Sequence, residues 1–156
     1  MNMIAIRADG NHELGMGHIM RGLNLAHALT AGKREEEMQD FPSLEVIFIT
    51  KNYPQGLKKL KEAGFPVETL ALELSPEDEA CTVVDIAKRY SLKGIVLDKG
   101  DNGLDYIRIL KDHGLTIWDF DDLGEGRFYA DHVFDANLSY KDNRNLFGMD
   151  KTRRSP

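Results

Sequence analysis

The feature that most restricts the fold is a repeated alternation of short apolar runs, rich in β-branched residues, with segments of helical periodicity. Met3 to Ala8, Leu44 to Thr50, Pro66 to Leu70, Gly94 to Asp98, Leu115 to Asp119 and His132 to Phe134 read as strands. Several are apolar almost throughout, the pattern of strands covered on both faces. Between them, helices are expected at His18–Ala31, Gln55–Ala63, Pro76–Tyr90 and Leu104–Asp112. In the third, Ser75 offers an N-cap, Pro76 suits the first helical position and Asp78 stands where a capping box places an acid. Ala80, Val83, Val84, Ala87 and Tyr90 then recur on one buried stripe. Gly64 and Gly114 follow the second and fourth helices, where a left-handed residue closes the last turn. Right-handed crossovers between such units give an α/β, Rossmann-like parallel sheet with helices on both faces.

A chain of 156 residues is long enough for one domain with a sizeable core. Its apolar and charged fractions, 42% and 29%, are those of an ordinary globular protein rather than a disordered one. No apolar stretch approaches the roughly 20 residues of a membrane span. The N-terminus lacks the basic and apolar blocks of a signal peptide, so a first strand is expected there instead. The single Cys81 cannot form an internal disulfide, which fits a reducing cytoplasm. Its place inside the third helix suggests a small core residue. A net charge of −6 argues against a general nucleic-acid binder. Lys33 to Asp40 reads as a solvated loop or frayed helix end. Lys151 to Pro156 reads as a polar tail, either a terminus or a linker toward a second domain.

In an open parallel sheet, ligands collect at the carboxyl ends of the strands. Three loops there carry suitable residues. The loop after the first strand runs from Asp9 through Asn11, His12, Gly15 and Gly17 to His18, with Arg21 one helical turn on. Gly15 and Gly17 permit positive φ and a close approach of ligand to backbone. His18 and Arg21 would share one side of the helix start. The helix dipole there disfavours an imidazolium, and a neutral imidazole is the form that accepts a proton from water. The glycine spacing is neither a dinucleotide fingerprint nor a phosphate-binding P-loop. A tight turn with a surface histidine is the plain alternative.

The other two loops hold Asp98, Lys99, Gly100 and Asp101, and then Asp119, Phe120, Asp121 and Asp122. The three later carboxylates suit a divalent cation, a turn cap, or a grip on His18 or Arg21 across the strand ends. With no matching ligand set elsewhere, no metal is assigned. Lys99 reads as a surface lysine or as a contact to a phosphate or sugar oxygen. His27, His113 and His132 read as a helix surface, a last helical turn and a strand start, and Trp118 as core. Asn137 lies where a ligand-facing loop would begin, with Asp131 on the other side of the last strand.

The run Arg7, Asp9, Gly15, Gly17, His18, Arg21, followed by Leu25, Ala26 and Leu29, resembles the start of the UDP-sugar hydrolases of pseudaminic-acid synthesis and the related spore coat polysaccharide biosynthesis proteins. Asp98, the Asp121–Asp122 pair, Asp131 and Asn137 follow in the same order. The likeness spans nearly the whole chain and would cover the N-terminal half of such a protein. It implies a GT-B architecture of two Rossmann-like domains across a cleft, the second of which grips UDP. It also implies release of UDP from an amino-sugar nucleotide by water, with inversion and with no metal or other cofactor. His18 matches the family's catalytic residue. On this reading Asp9, Asn11, Gly15, Gly17, Arg21, Asp98, Lys99, Asp121, Asp122 and Asn137 are expected around the substrate. One position departs: where some members carry Asp-His-Tyr after the fourth strand, this chain has Asp98, Lys99 and Gly100. Two further functions fit the same sequence, a GT-B glycosyltransferase and a non-catalytic sugar-nucleotide binding or assembly domain.

Overall fold

Every strand–helix alternation in the sequence becomes a unit of one six-stranded, all-parallel sheet. The computed structural model describes residues 2–31 and 44–135. The strands are β1 (Asn2–Ala8), β2 (Leu44–Lys51), β3 (Val67–Leu70), β4 (Gly94–Asp98), β5 (Thr116–Phe120) and β6 (His132–Phe134). The helices are α1 (Gly17–Ala31), α2 (Pro54–Glu62), α3 (Pro76–Tyr90) and α4 (Leu104–Asp112). A short 3-10 turn, Glu125–Phe128, leads into β6.

The sheet order is β3-β2-β1-β4-β5-β6. The chain winds outward from β1 in one direction, then returns to β4 beside β1 and winds outward in the other. The order therefore reverses between β1 and β4, which leaves a crevice at the carboxyl ends of those two strands.

Two apolar cores hold the helices to the sheet. On one face Ile6, Phe48 and Val96 pack with Ile19, Leu23 and Ala26 of α1 and Leu60 of α2. On the other, Ile47, Ile49, Ile95 and Leu97 pack with Val83 and Ile86 of α3 and Ile107 and Leu110 of α4. Each of these side chains is almost wholly removed from water, worth about 1.5–3 kcal/mol apiece for all but Ala26.

The ends of the elements follow local chemistry. The Ser75 hydroxyl accepts the Asp78 N–H at 3.1 Å, the expected cap of α3. Gly114, at φ +78, ends α4, and the Leu115 N–H reaches back to the Leu110 carbonyl. Leu115 is thus spent on closing the helix, and β5 starts one residue later than its apolar run suggests. Cys81 is exposed rather than in the core. The buried stripe of α3 runs through Glu79, Ala80, Val83, Val84, Ile86 and Ala87 and leaves Cys81 beside it. Trp118 is half-buried, packed against the α1–α2 core and stacked on His132 of the edge strand. The segment Lys33 to Asp40, Asn137 and the tail at Lys151 to Pro156 lie outside the described residues.

Candidate functional site

The crevice between β1 and β4 is built by the turn that follows β1. Asn11 accepts the N–H groups of Glu13 (2.9 Å) and Leu14 (2.6 Å) through its side-chain oxygen and pairs its backbone with Gly15. Gly15 takes φ +77, a conformation that favours glycine. Gly17 starts α1 and, contrary to the expectation of positive φ, is not among the left-handed residues. Gly10 is needed for a different reason: a Cβ there would lie 2.6 Å from Ile19 Cγ1. The loop is thereby folded tightly onto α1, whose first two turns carry His18 and Arg21.

Asp98 closes the other side. It ends β4 directly beside Ala8, and its side chain is 2% exposed. Arg21 grips it side-on, Nε to Oδ2 at 2.7 Å and Nη2 to Oδ1 at 2.6 Å. Oδ1 also meets His18 Nδ1 at 2.6 Å. A carboxylate held by a guanidinium accepts only, so Nδ1 is the nitrogen that carries the proton. The Nε2 lone pair of a neutral ring is then left for other partners. Arg21 donates through Nη1 to Asp121, and its guanidinium lies 5.9 Å from the centre of the Phe120 ring. Hydrogen bonds to Asp98 and then Asp121 hold the Arg21 pKa above its ordinary value. Leu14, Gly17, His18, Arg21 and Asp121 line a hollow of about 330 Å³. That volume is near the lower bound of small-molecule sites.

Asp9 and Lys99 belong to a second cluster, behind the first. Arg7 points from β1 toward α3 and α4 and is fully buried. It donates to both oxygens of Asp9, at 2.6 and 2.8 Å, and through Nε to Glu79 at 3.0 Å. Asp9 also accepts the Lys51 N–H at 2.8 Å. Glu79 collects Lys99 and the Tyr106 hydroxyl, each at 3.1 Å. Burial pushes the Asp9 and Glu79 carboxyls up, but Arg7 outweighs it, with Lys51 for Asp9 and Lys99 for Glu79, and both end below their ordinary values. Burial pulls the Lys99 ammonium down, against Glu79. Lys99 lies 4.0 Å from the centre of the Tyr106 ring, with a side chain only 13% exposed. It is neither a surface lysine nor a residue facing the hollow. Asp9, expected against the substrate, directs its carboxylate into this same cluster.

Asp122 is fully buried, and its Oδ1 accepts the N–H groups of Asn102 (2.9 Å) and Gly124 (2.8 Å). It pins one loop to another and does not line the hollow. Of the readings open for the acidic loop, Asp121 grips Arg21 and Asp122 caps a turn. No group of three or more His, Cys, Asp or Glu among the described residues is arranged to hold a metal. Sequence reasoning missed Glu79, Asn102 and Tyr106. Nothing in the local pattern separates Glu79 from the acids that ordinarily begin a helix. The buried arginine in a strand was the available signal that some acid must reach it.

No protein-family model matches the chain. A stretch of 64 residues, 41% of this chain, is 42% identical to Uncharacterized protein MJ1062 of Methanocaldococcus jannaschii. That stretch covers 11% of the archaeal protein's length. Among the described residues, no helix is long and apolar enough to cross a membrane.

Proposed function

We propose that this chain is the sugar-side domain of an enzyme that hydrolyses a UDP-amino-sugar, with His18 as general base toward water. The observation that carries the reading is the His18–Asp98 pair at the rim of the hollow. A buried carboxylate on Nδ1 fixes the tautomer and stabilises the imidazolium that forms when Nε2 takes a proton. In the proposed step, a water oxygen bonds to the anomeric carbon as the bond from that carbon to the diphosphate oxygen breaks. The bonding pair leaves with UDP, and the water's proton passes to His18. Arg21 holds Asp98 through two hydrogen bonds and offsets its charge. The hollow suits a sugar ring better than a whole nucleotide sugar. We therefore assign the grip on UDP to a second domain of the natural protein, as the resemblance to the hydrolase family implies. The exposed thiol of Cys81, with no second cysteine in the sequence, supports a reducing, cytoplasmic setting.

The test is UDP release from a panel of UDP-N-acetylamino sugars by the natural full-length protein, with and without a sugar acceptor. Release without acceptor is the expected result. Release only with acceptor would make the protein a glycosyltransferase, and binding without release would make it a carrier or assembly module. Either outcome removes hydrolysis.

A further inference from the structure

Behind the loop that carries Asp121 lies a group of polar side chains with no role in the hollow. Asp119, Asp122 and Asn102 are all fully buried. The Asn102 amide donates to Asp119 Oδ1 at 3.1 Å, and Asp122 Oδ1 takes two backbone N–H groups. That leaves Asp119 Oδ2 and Asp122 Oδ2 with no donor, together with Asn102 Oδ1. Two buried carboxylates in one site cannot both stay ionised without a compensating positive charge.

Among the described residues, no Lys, Arg or His side chain pairs with either carboxylate, and on β6 His132 stacks on Trp118 instead. At the end of β4, Asp98 follows Leu97, the register partner of Asp119, and is itself an acid, committed to Arg21. From the 3-10 turn, Arg127 donates to the Asp122 main-chain carbonyl at 3.0 Å and lies 3.8 Å from Asp135. Glu125 and, on α4, Asp105 are exposed acids. Asp121 faces Arg21. Gly124 and Gly126 press so closely on the Asn102 backbone that an added Cβ would lie 2.4 and 2.5 Å from its carbonyl oxygen. The node is packed tightly between the two loops.

We propose that Asp119 and Asp122 share one proton, forming a buried carboxyl–carboxylate hydrogen bond that locks the loop presenting Asp121 to Arg21. One proton shared by the two carboxyl groups supplies a donor to one and an acceptor to the other, and halves the buried charge. The lock has a structural purpose at Asp121, which sits between the pair at φ +48, a left-handed conformation uncommon for residues other than glycine, though aspartate and asparagine adopt it more readily than most. Holding both flanking side chains fixes that conformation, and with it the carboxylate that meets Arg21. The inference concerns the positioning of the site and stands whether or not the site hydrolyses a sugar nucleotide.

Burial first, and the Asp122 carboxylate second, push the Asp119 carboxyl up to about 8 from an unperturbed 3.8. Its sign is that of a raised pKa: this contribution to stability is full below pH about 4, falls as pH rises toward about 8, and levels off beyond. In Asp119→Asn the amide can donate permanently to Asp122, so this part of the pH dependence disappears.

Thermal unfolding of this chain and of Asp119→Asn from about pH 5 to about pH 9 tests the proposal. We expect the Tm of wild type, relative to the variant, to fall by about 5 °C or more across that range. Carboxyl ¹³C shifts of the wild type provide a reading that needs no variant: one aspartate should titrate at about 8. It should return to the ordinary carboxyl range in Asp122→Asn. A Tm difference that does not change with pH, or no aspartate titrating above about 6, would overturn the proposal. So would stabilisation by added Ca²⁺ or Mg²⁺ in wild type but not in Asp119→Asn, which would make the compensating charge a metal ion.

Discussion

At Asp98 a single buried carboxylate serves two side chains from the opposite side of the crevice. It takes His18 on one oxygen and Arg21 on both, so any change there should act on the orientation of the imidazole rather than on ligand contact. Asp98→Asn keeps the size but replaces one acceptor with a donor. Arg21 then competes for the remaining oxygen, and the ring loses its reason to carry the proton on Nδ1. If UDP release is the reaction, kcat should fall about 10²-fold or more with KM little changed. A kcat equal to wild type would reduce Asp98 to a structural anchor. The residues of this group were legible because they lie at the start of α1 and at the ends of β4 and β5, which a parallel sheet brings together. The partner of Arg7 was not, since Glu79 stands 72 residues away and looks like any acid in a first helical turn. The same blindness assigned Lys99 and Asp9 to the substrate: sequence shows that they sit near the edge of the sheet, but not that a buried arginine and glutamate claim them.

Among the elements, α3 and α4 were readable to the residue because their caps are chemical: Ser75 and Pro76 open one, Gly114 closes the other. The start of β5 was misplaced by one residue, because an apolar side chain serves equally well as the closing contact of a helix or the first residue of a strand. Cys81 was misplaced for a related reason. A periodic stripe has edges, and the position that periodicity left open was taken by Glu79, which Arg7 draws inward. α2 carries a prediction that runs against helix propensity. Gly56 lies in its first turn, where Gly→Ala would ordinarily gain up to about 1 kcal/mol. A Cβ there would stand 2.8 Å from the Gly10 carbonyl oxygen, in the loop that shapes the hollow. Gly56→Ala should therefore lower Tm rather than raise it, as calorimetry would show; a higher Tm would mean that the contact relaxes at no cost.

For the whole molecule, the sheet order fixes where chemistry can occur. Among the described residues two helices cover each face, the strand order reverses between β1 and β4, and the hollow opens at that reversal. Alternation in the sequence was enough to imply this architecture, because parallel crossovers leave few other arrangements. What alternation could not convey is the division of the acidic loops into a part that faces the hollow and a part that holds the sheet together, which depends on contacts between distant segments. The central claim is that the imidazole at the reversal point takes the proton in the reaction. Single-turnover UDP release by full-length His18→Ala, measured beside its nucleotide affinity, tests it most directly. The account predicts release slowed by about 10²–10⁴-fold with affinity within a few-fold of wild type. Release at the wild-type rate would contradict it.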